Sequence, residues 1–80
     1  EKLVFYPNPI QDKLHVYCSG TDTEIEATLT DINGKIVLSY PIKVLENRML
    51  QFDLDDLKSG LYLMHLKGIR LDETIKLIKK

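Results

Sequence analysis

In Leu57-Lys58-Ser59-Gly60-Leu61-Tyr62-Leu63-Met64-His65-Leu66-Lys67 a tight turn runs straight into the most apolar strand-like segment of the chain. Five of the six residues from Leu61 to Leu66 are apolar. Alternation puts Leu61, Leu63 and His65 on one face and Tyr62, Met64 and Leu66 on the other, so both faces call for cover and the strand is expected to be central. Gly60 supplies a sharp entry, because a residue without a Cβ reaches positive φ at no steric cost.

Outward from this stretch the chain is a series of short alternating runs. Towards the N-terminus, Met49 to Leu54 places Leu50, Phe52 and Leu54 on one face, and Asp55 to Gly60 forms a turn, with one loop of 3₁₀ helix expected. Lys35 to Tyr40 and Glu24 to Thr30 flank Asp31-Ile32-Asn33-Gly34, where Asn-Gly predicts a type I′ hairpin turn. Pro41 ends the Lys35 to Tyr40 strand or marks it as an edge, and Ile42 to Arg48 continues it into a loop around Glu46-Asn47. Lys13 to Cys18 alternates with Leu14, Val16 and Cys18 inward. Leu3 to Tyr6 is a strand closed by Pro7-Asn8-Pro9, two prolines that fix φ and remove two backbone donors. Towards the C-terminus, Gly68 to Asp72 turns the chain into a last strand, Glu73 to Lys79. Seven short strands with turn signals about every ten residues and no helical period predict an all-β, seven-stranded antiparallel immunoglobulin-like β-sandwich.

The 80 residues suffice for one domain, residues 1–80, and a net charge of −1 argues against nucleic acid or an anionic membrane as the main partner. No apolar run approaches the length of a membrane span, and the start Glu-Lys-Leu-Val-Phe-Tyr-Pro is not a signal peptide, so an export signal is expected elsewhere on a parent chain. The single cysteine, Cys18, excludes an internal disulfide and falls on a core-facing position.

Catalytic chemistry finds little support. His15 and His65 lie on separate strands with no His, Cys or carboxylate at ligand spacing, so no metal or other cofactor is expected. Asp31-Ile32-Asn33-Gly34 is too incomplete a ligand set for a calcium loop, and Asp53, Asp55 and Asp56 sit where aspartate caps turns. Ser19, Ser39 and Ser59 have no nucleophile context. The chain reads as non-enzymatic. In the tail, Thr74, Lys76 and Ile78 share one strand face and Ile75, Leu77 and Lys79 the other. Lysines on both faces suit either an edge strand guarded against unwanted pairing or a basic strand presented to a receptor. The same edge makes a homodimer by strand pairing an expectation.

Three motifs carry a family resemblance: Tyr6-Pro7-Asn8-Pro9 with Asp12 and the Leu14-x-Val16 strand; Leu57-Lys58-Ser59-Gly60-Leu61-Tyr62; and Lys76-Leu77-Ile78-Lys79. Between them, Leu29-Thr30-Asp31-Ile32-Asn33-Gly34-Lys35-Ile36-Val37 matches a middle hairpin. In order and spacing the chain resembles the type A C-terminal sorting domain of proteins exported by the type IX secretion system of Bacteroidetes. The resemblance implies an immunoglobulin-like address label on a larger cargo, recognised in the periplasm by the secretion machinery and usually removed at the cell surface by a sortase-like protease. The cargo then stays at the surface or is released. By position, Pro7, Asn8 and Pro9 would shape an N-terminal corner, Gly60 and Tyr62 the central strand, and Lys76, Lys79 and Lys80 a terminal recognition strand. The other reading open to the sequence is an accessory module that binds glycan or protein, with Tyr17 and Tyr40 as its candidate exposed aromatics.

Overall fold

The computed structural model describes residues 3–7 and 9–80; Asn8 of the N-terminal motif lies outside the described residues. Among the described residues seven strands follow one another, β1 (Leu3–Tyr6), β2 (Lys13–Cys18), β3 (Glu24–Asp31), β4 (Ile36–Lys43), β5 (Met49–Asp53), β6 (Gly60–Lys67) and β7 (Asp72–Lys79). They form two antiparallel sheets, β1-β2-β5 and β4-β3-β6-β7, so that the chain changes sheet after β2, β4 and β5. This is the expected immunoglobulin-like sandwich. The inward residues of both sheets make one core, with Leu14, Val16, Cys18, Leu50 and Phe52 from the first and Ile25, Ala27, Leu29, Met64, Leu66 and Leu77 from the second.

β6 is an interior strand, hydrogen-bonded to β3 on one side and β7 on the other. Only one of its faces is covered. Tyr62, Met64 and Leu66 are buried, whereas Leu61 and Leu63 remain 40% and 43% exposed. The expectation of cover on both faces fails because a two-layer sandwich has a single interior, and interior position within the sheet comes from backbone pairing rather than from burial of both faces.

The β3–β4 connection also differs from the type I′ turn. Gly34 has φ of +82°, but Asn33 is not among the positive-φ residues, which a type I′ turn requires. Instead Gly34 N donates to Asp31 O at 3.0 Å, and the Asp31 carboxylate accepts from the amides of Asn33 (2.9 Å) and Lys35 (3.0 Å). The aspartate side chain thus fixes the connection with glycine in the left-handed position, and the ladder is offset between Leu29 and Thr30. β4 continues through Pro41 to Lys43 as an edge strand bound only to β3, where the missing N–H leaves no gap in the ladder. Residues 54–59 form a turn rather than a 3₁₀ loop, closed by Leu57 N on Leu54 O at 3.2 Å.

Candidate functional site

The turn before β6 exposes two successive backbone carbonyls that the sheet ladders do not reach, those of Leu57 and Lys58. Each accepts a side-chain donor from a different strand. Tyr62 Oη donates to Lys58 O at 2.8 Å, and Lys79 Nζ donates to Leu57 O at 3.1 Å. The first of these is a tyrosine corner, the hydroxyl of a tyrosine near the start of the sixth strand bonding back to the turn that leads into it. Two residues on, where antibody domains carry their second cysteine, stands buried Met64. Gly60 enters the strand at φ +151°, with open space where a Cβ would stand, so its requirement is one of backbone angle and not of room.

The other motifs come to the same end of the sandwich. Gly60 pairs with Lys79, Leu61 with Ile78 and Tyr62 with Leu77. On its outer side the end of β7 is bridged in parallel by Ile10, whose N–H donates to Ile78 O at 2.7 Å and whose carbonyl accepts from Lys80 N at 2.8 Å. Ile10 is buried, so the segment that follows Pro7 and Pro9 links the first sheet to the edge of the second. Asp12 O in turn accepts Leu54 N at 2.7 Å. Tyr6, joined to Pro7 by a cis peptide, stacks on His15 with ring centroids 5.3 Å apart.

The three tail lysines are therefore not equivalent. Lys79 is only 7% exposed and serves the Leu57 carbonyl, while Lys76 and Lys80 are exposed. A buried ammonium is tolerated here because it caps an acceptor and lays its aliphatic stem along apolar surface. Strand alternation grouped Lys79 with Ile75 and Leu77 on one face without marking that face as inward, and the acceptor that holds it sits 22 positions away in sequence.

His15 and His65 lie on different sheets, and His65 Nε2 meets Asp72 Oδ1 at 2.6 Å, with Lys67 Nζ on Asp72 Oδ2 at 3.2 Å. Tyr17 and Tyr40 do not form one platform. Tyr17 pairs with Val4 on the outer face of the three-stranded sheet, whereas Tyr40 pairs with buried Ala27 and meets Phe52 edge-on at 6.3 Å. Its hydroxyl titrates higher than usual because of burial.

Two residues that sequence patterning passed over organise the opposite end. The buried Asp22 carboxylate accepts the amides of Ile69 (3.1 Å), Arg70 (3.2 Å) and Leu71 (2.9 Å) across the β6–β7 turn. Arg48, at φ +63°, donates from Nε to Cys18 O at 3.2 Å and from Nη1 to Asp22 O at 2.6 Å. An aspartate in a Ser-Gly-Thr-Asp loop carries no local sign that it will be buried.

With this geometry in place, comparison with known proteins is decisive: residues 4–80 match the family described as the secretion system C-terminal sorting domain. The chain belongs to that family. The resemblance seen in the motifs is thus to the family that residues 4–80 match, the C-terminal sorting domains of type IX secretion. Among solved structures, dimeric latent PorU from Porphyromonas gingivalis is similar, with a TM-score of 0.66 and 19% identity over 96% of the sorting domain and 9% of the PorU chain. At that identity the likeness speaks for the fold. The domain spans about 9% of the length of that structure, and no curated sequence matches it significantly.

Proposed function

We propose that residues 1–80 are the non-catalytic C-terminal sorting signal of a larger exported cargo, read by the type IX secretion machinery. Membership of the sorting-domain family over residues 4–80 carries this reading. The cargo crosses the inner membrane on its own signal peptide, and the folded domain is recognised in the periplasm and directs passage through the outer membrane. A sortase-like surface protease then removes the domain, upstream of or near its start, leaving the cargo at the surface or released.

Within this reading the motif residues divide by role. Pro7 and Pro9 shape the corner that delivers Ile10 to the end of β7. Gly60 and Tyr62 build the corner from which β6 starts, and Lys79 ties β7 to it. Lys76 and Lys80 are left to face a partner. The convergence of three sequence-distant motifs on one end of the sandwich supports their acting as a unit.

The test is a fusion of signal peptide, reporter and residues 1–80 in a host with the secretion system and in the same host lacking it. The reporter is expected outside the outer membrane only in the first. Periplasmic retention in both, or unchanged export after deletion of Ile78 to Lys80, overturns the reading.

A further inference from the structure

The outer face of the four-stranded sheet is divided along its length. One end is polar, where the registers set Pro41, Glu26, Lys67 and Asp72 in one row and Ser39, Thr28, His65 and Thr74 in the next. Thr28 and Ser39 hydroxyls lie 3.3 Å apart, and Asp72 is held by His65 and Lys67. The other end, where the three motifs meet, is apolar. Its first row is Ile36, Thr30, Leu63 and Lys76, and its second brings Leu61 beside Ile78. Ile36, Leu61, Leu63 and Ile78 are 59%, 40%, 43% and 46% exposed. Four large apolar side chains side by side on an otherwise polar sheet face form a patch, which isolated surface hydrophobics do not.

Lysines frame the patch. Lys76 sits in its first row beside Leu63, Lys80 follows Ile78 at the end of the strand, and Lys35 adjoins Ile36; all three are exposed. Ile36 also lines a groove of about 400 Å³ with Lys35, Val37, Leu57 and Lys58. Asp31 and Asp56 line the same groove and carry negative charge, but the four lysines of this end, Lys35, Lys58, Lys76 and Lys80, outnumber them. The local excess of positive charge stands against a chain total of −1.

From this surface we infer a docking site for a protein partner that presents an apolar centre flanked by carboxylates. The inference rests on the sorting function proposed above and names the surface through which the domain is read. An apolar centre with a charged rim is the usual anatomy of a specific protein interface, and the rim charges select the partner. A second copy of this chain fits poorly, because stacking two such faces brings both sets of lysines together. An anionic lipid surface fits poorly as well, since Glu26 and Asp72 occupy the same sheet face and would be pressed against it.

The experiment uses the full reporter fusion in the secretion-competent host, with three variants: Leu61→Glu with Leu63→Glu, Lys76→Glu alone, and Val4→Glu on the outer face of the other sheet. The first two are expected to lower export at least about tenfold, the effect of about 1.4 kcal/mol in recognition, and Val4→Glu to leave it unchanged. Lys76→Glu alters no buried group, so its loss of export with an unshifted melting temperature reports recognition and not folding. Wild-type export with undiminished export of Lys76→Glu and the double variant sinks this docking site while leaving the sorting function standing; failure of the wild-type fusion sinks that function itself. Binding of the purified domain to phosphatidylglycerol vesicles that Lys76→Glu abolishes, or a dimer by light scattering that the double glutamate variant dissociates, also overturns it in favour of a lipid or a second copy.

Discussion

Lys79 Nζ donates to the Leu57 carbonyl at 3.1 Å from a residue only 7% exposed. A lysine that looks like part of a basic display is thus a strut between the last strand and the turn before β6.

Lys79→Ala is therefore expected to cost about 1 to 3 kcal/mol, through the lost stem packing and an uncapped carbonyl. Lys76→Ala, which removes only an exposed side chain, stays within about 0.5 kcal/mol of the parent. Urea denaturation midpoints distinguish the two; equal effects would mean that the strut contributes nothing.

Tyr62→Phe keeps the ring and deletes the hydroxyl that reaches Lys58 O at 2.8 Å. The expected loss is about 1 to 2 kcal/mol, rising to about 3 to 5 kcal/mol for Tyr62→Ala, which also empties core volume. Export should decline in the same order as stability. Should Tyr62→Phe abolish export at unchanged thermal stability, the hydroxyl is a recognition contact and not a corner.

Gly68 and Asp22 form a second dependent pair. A Cβ at Gly68 would stand 2.7 Å from Asp22 Oδ2, so Gly68→Ala must displace the carboxylate from the amides of the β6–β7 turn. About 2 to 3 kcal/mol is expected for Gly68→Ala and a similar loss for Asp22→Ala. Because both act on one contact, the double variant should lose little more than either single one; additive losses would show that the two are independent.

Acid sensitivity has a local source at Asp72. Hydrogen bonds from His65, then Lys67, with the Lys67 charge, hold its carboxyl below the usual aspartate range. A group whose folded pKa is depressed contributes stability that is complete above its unfolded pKa and is lost as pH falls through the folded one. The Asp72 contribution is thus present at neutral pH and disappears only in strong acid. Carboxyl titration by NMR is expected to place Asp72 below the ordinary aspartate value, and Asp72→Asn to flatten that part of the acid limb; an Asp72 midpoint at or above the ordinary value excludes the mechanism.

How much of this could be read from the chain alone follows from the range of the forces. Strand identity comes from alternation of neighbours, a local property, and β1 and β2 match their sequence-expected limits while the other strands differ by one to three residues at an end. The sandwich class, the core position of Cys18 and the edge character of Pro41 were local consequences too. Turn geometry was only partly legible: Asn33-Gly34 marked the hairpin, but the Asp31 carboxylate selected its type by bonding amides two and four residues on.

Seven alternating strands, the order of the motifs and, through those motifs, the family are all legible along the chain. Tertiary structure decided which face of β6 met solvent, because that depends on where the second sheet lies and not on the strand's own composition. It likewise decided that Lys79 caps Leu57 and that Asp22 holds residues 69–71, contacts made 22 to 49 positions apart. Such bonds leave no periodic trace, since the donor and acceptor become neighbours only after the sheets have packed. Burial then makes them necessary, because a polar group removed from water without a partner costs more than the bond itself returns.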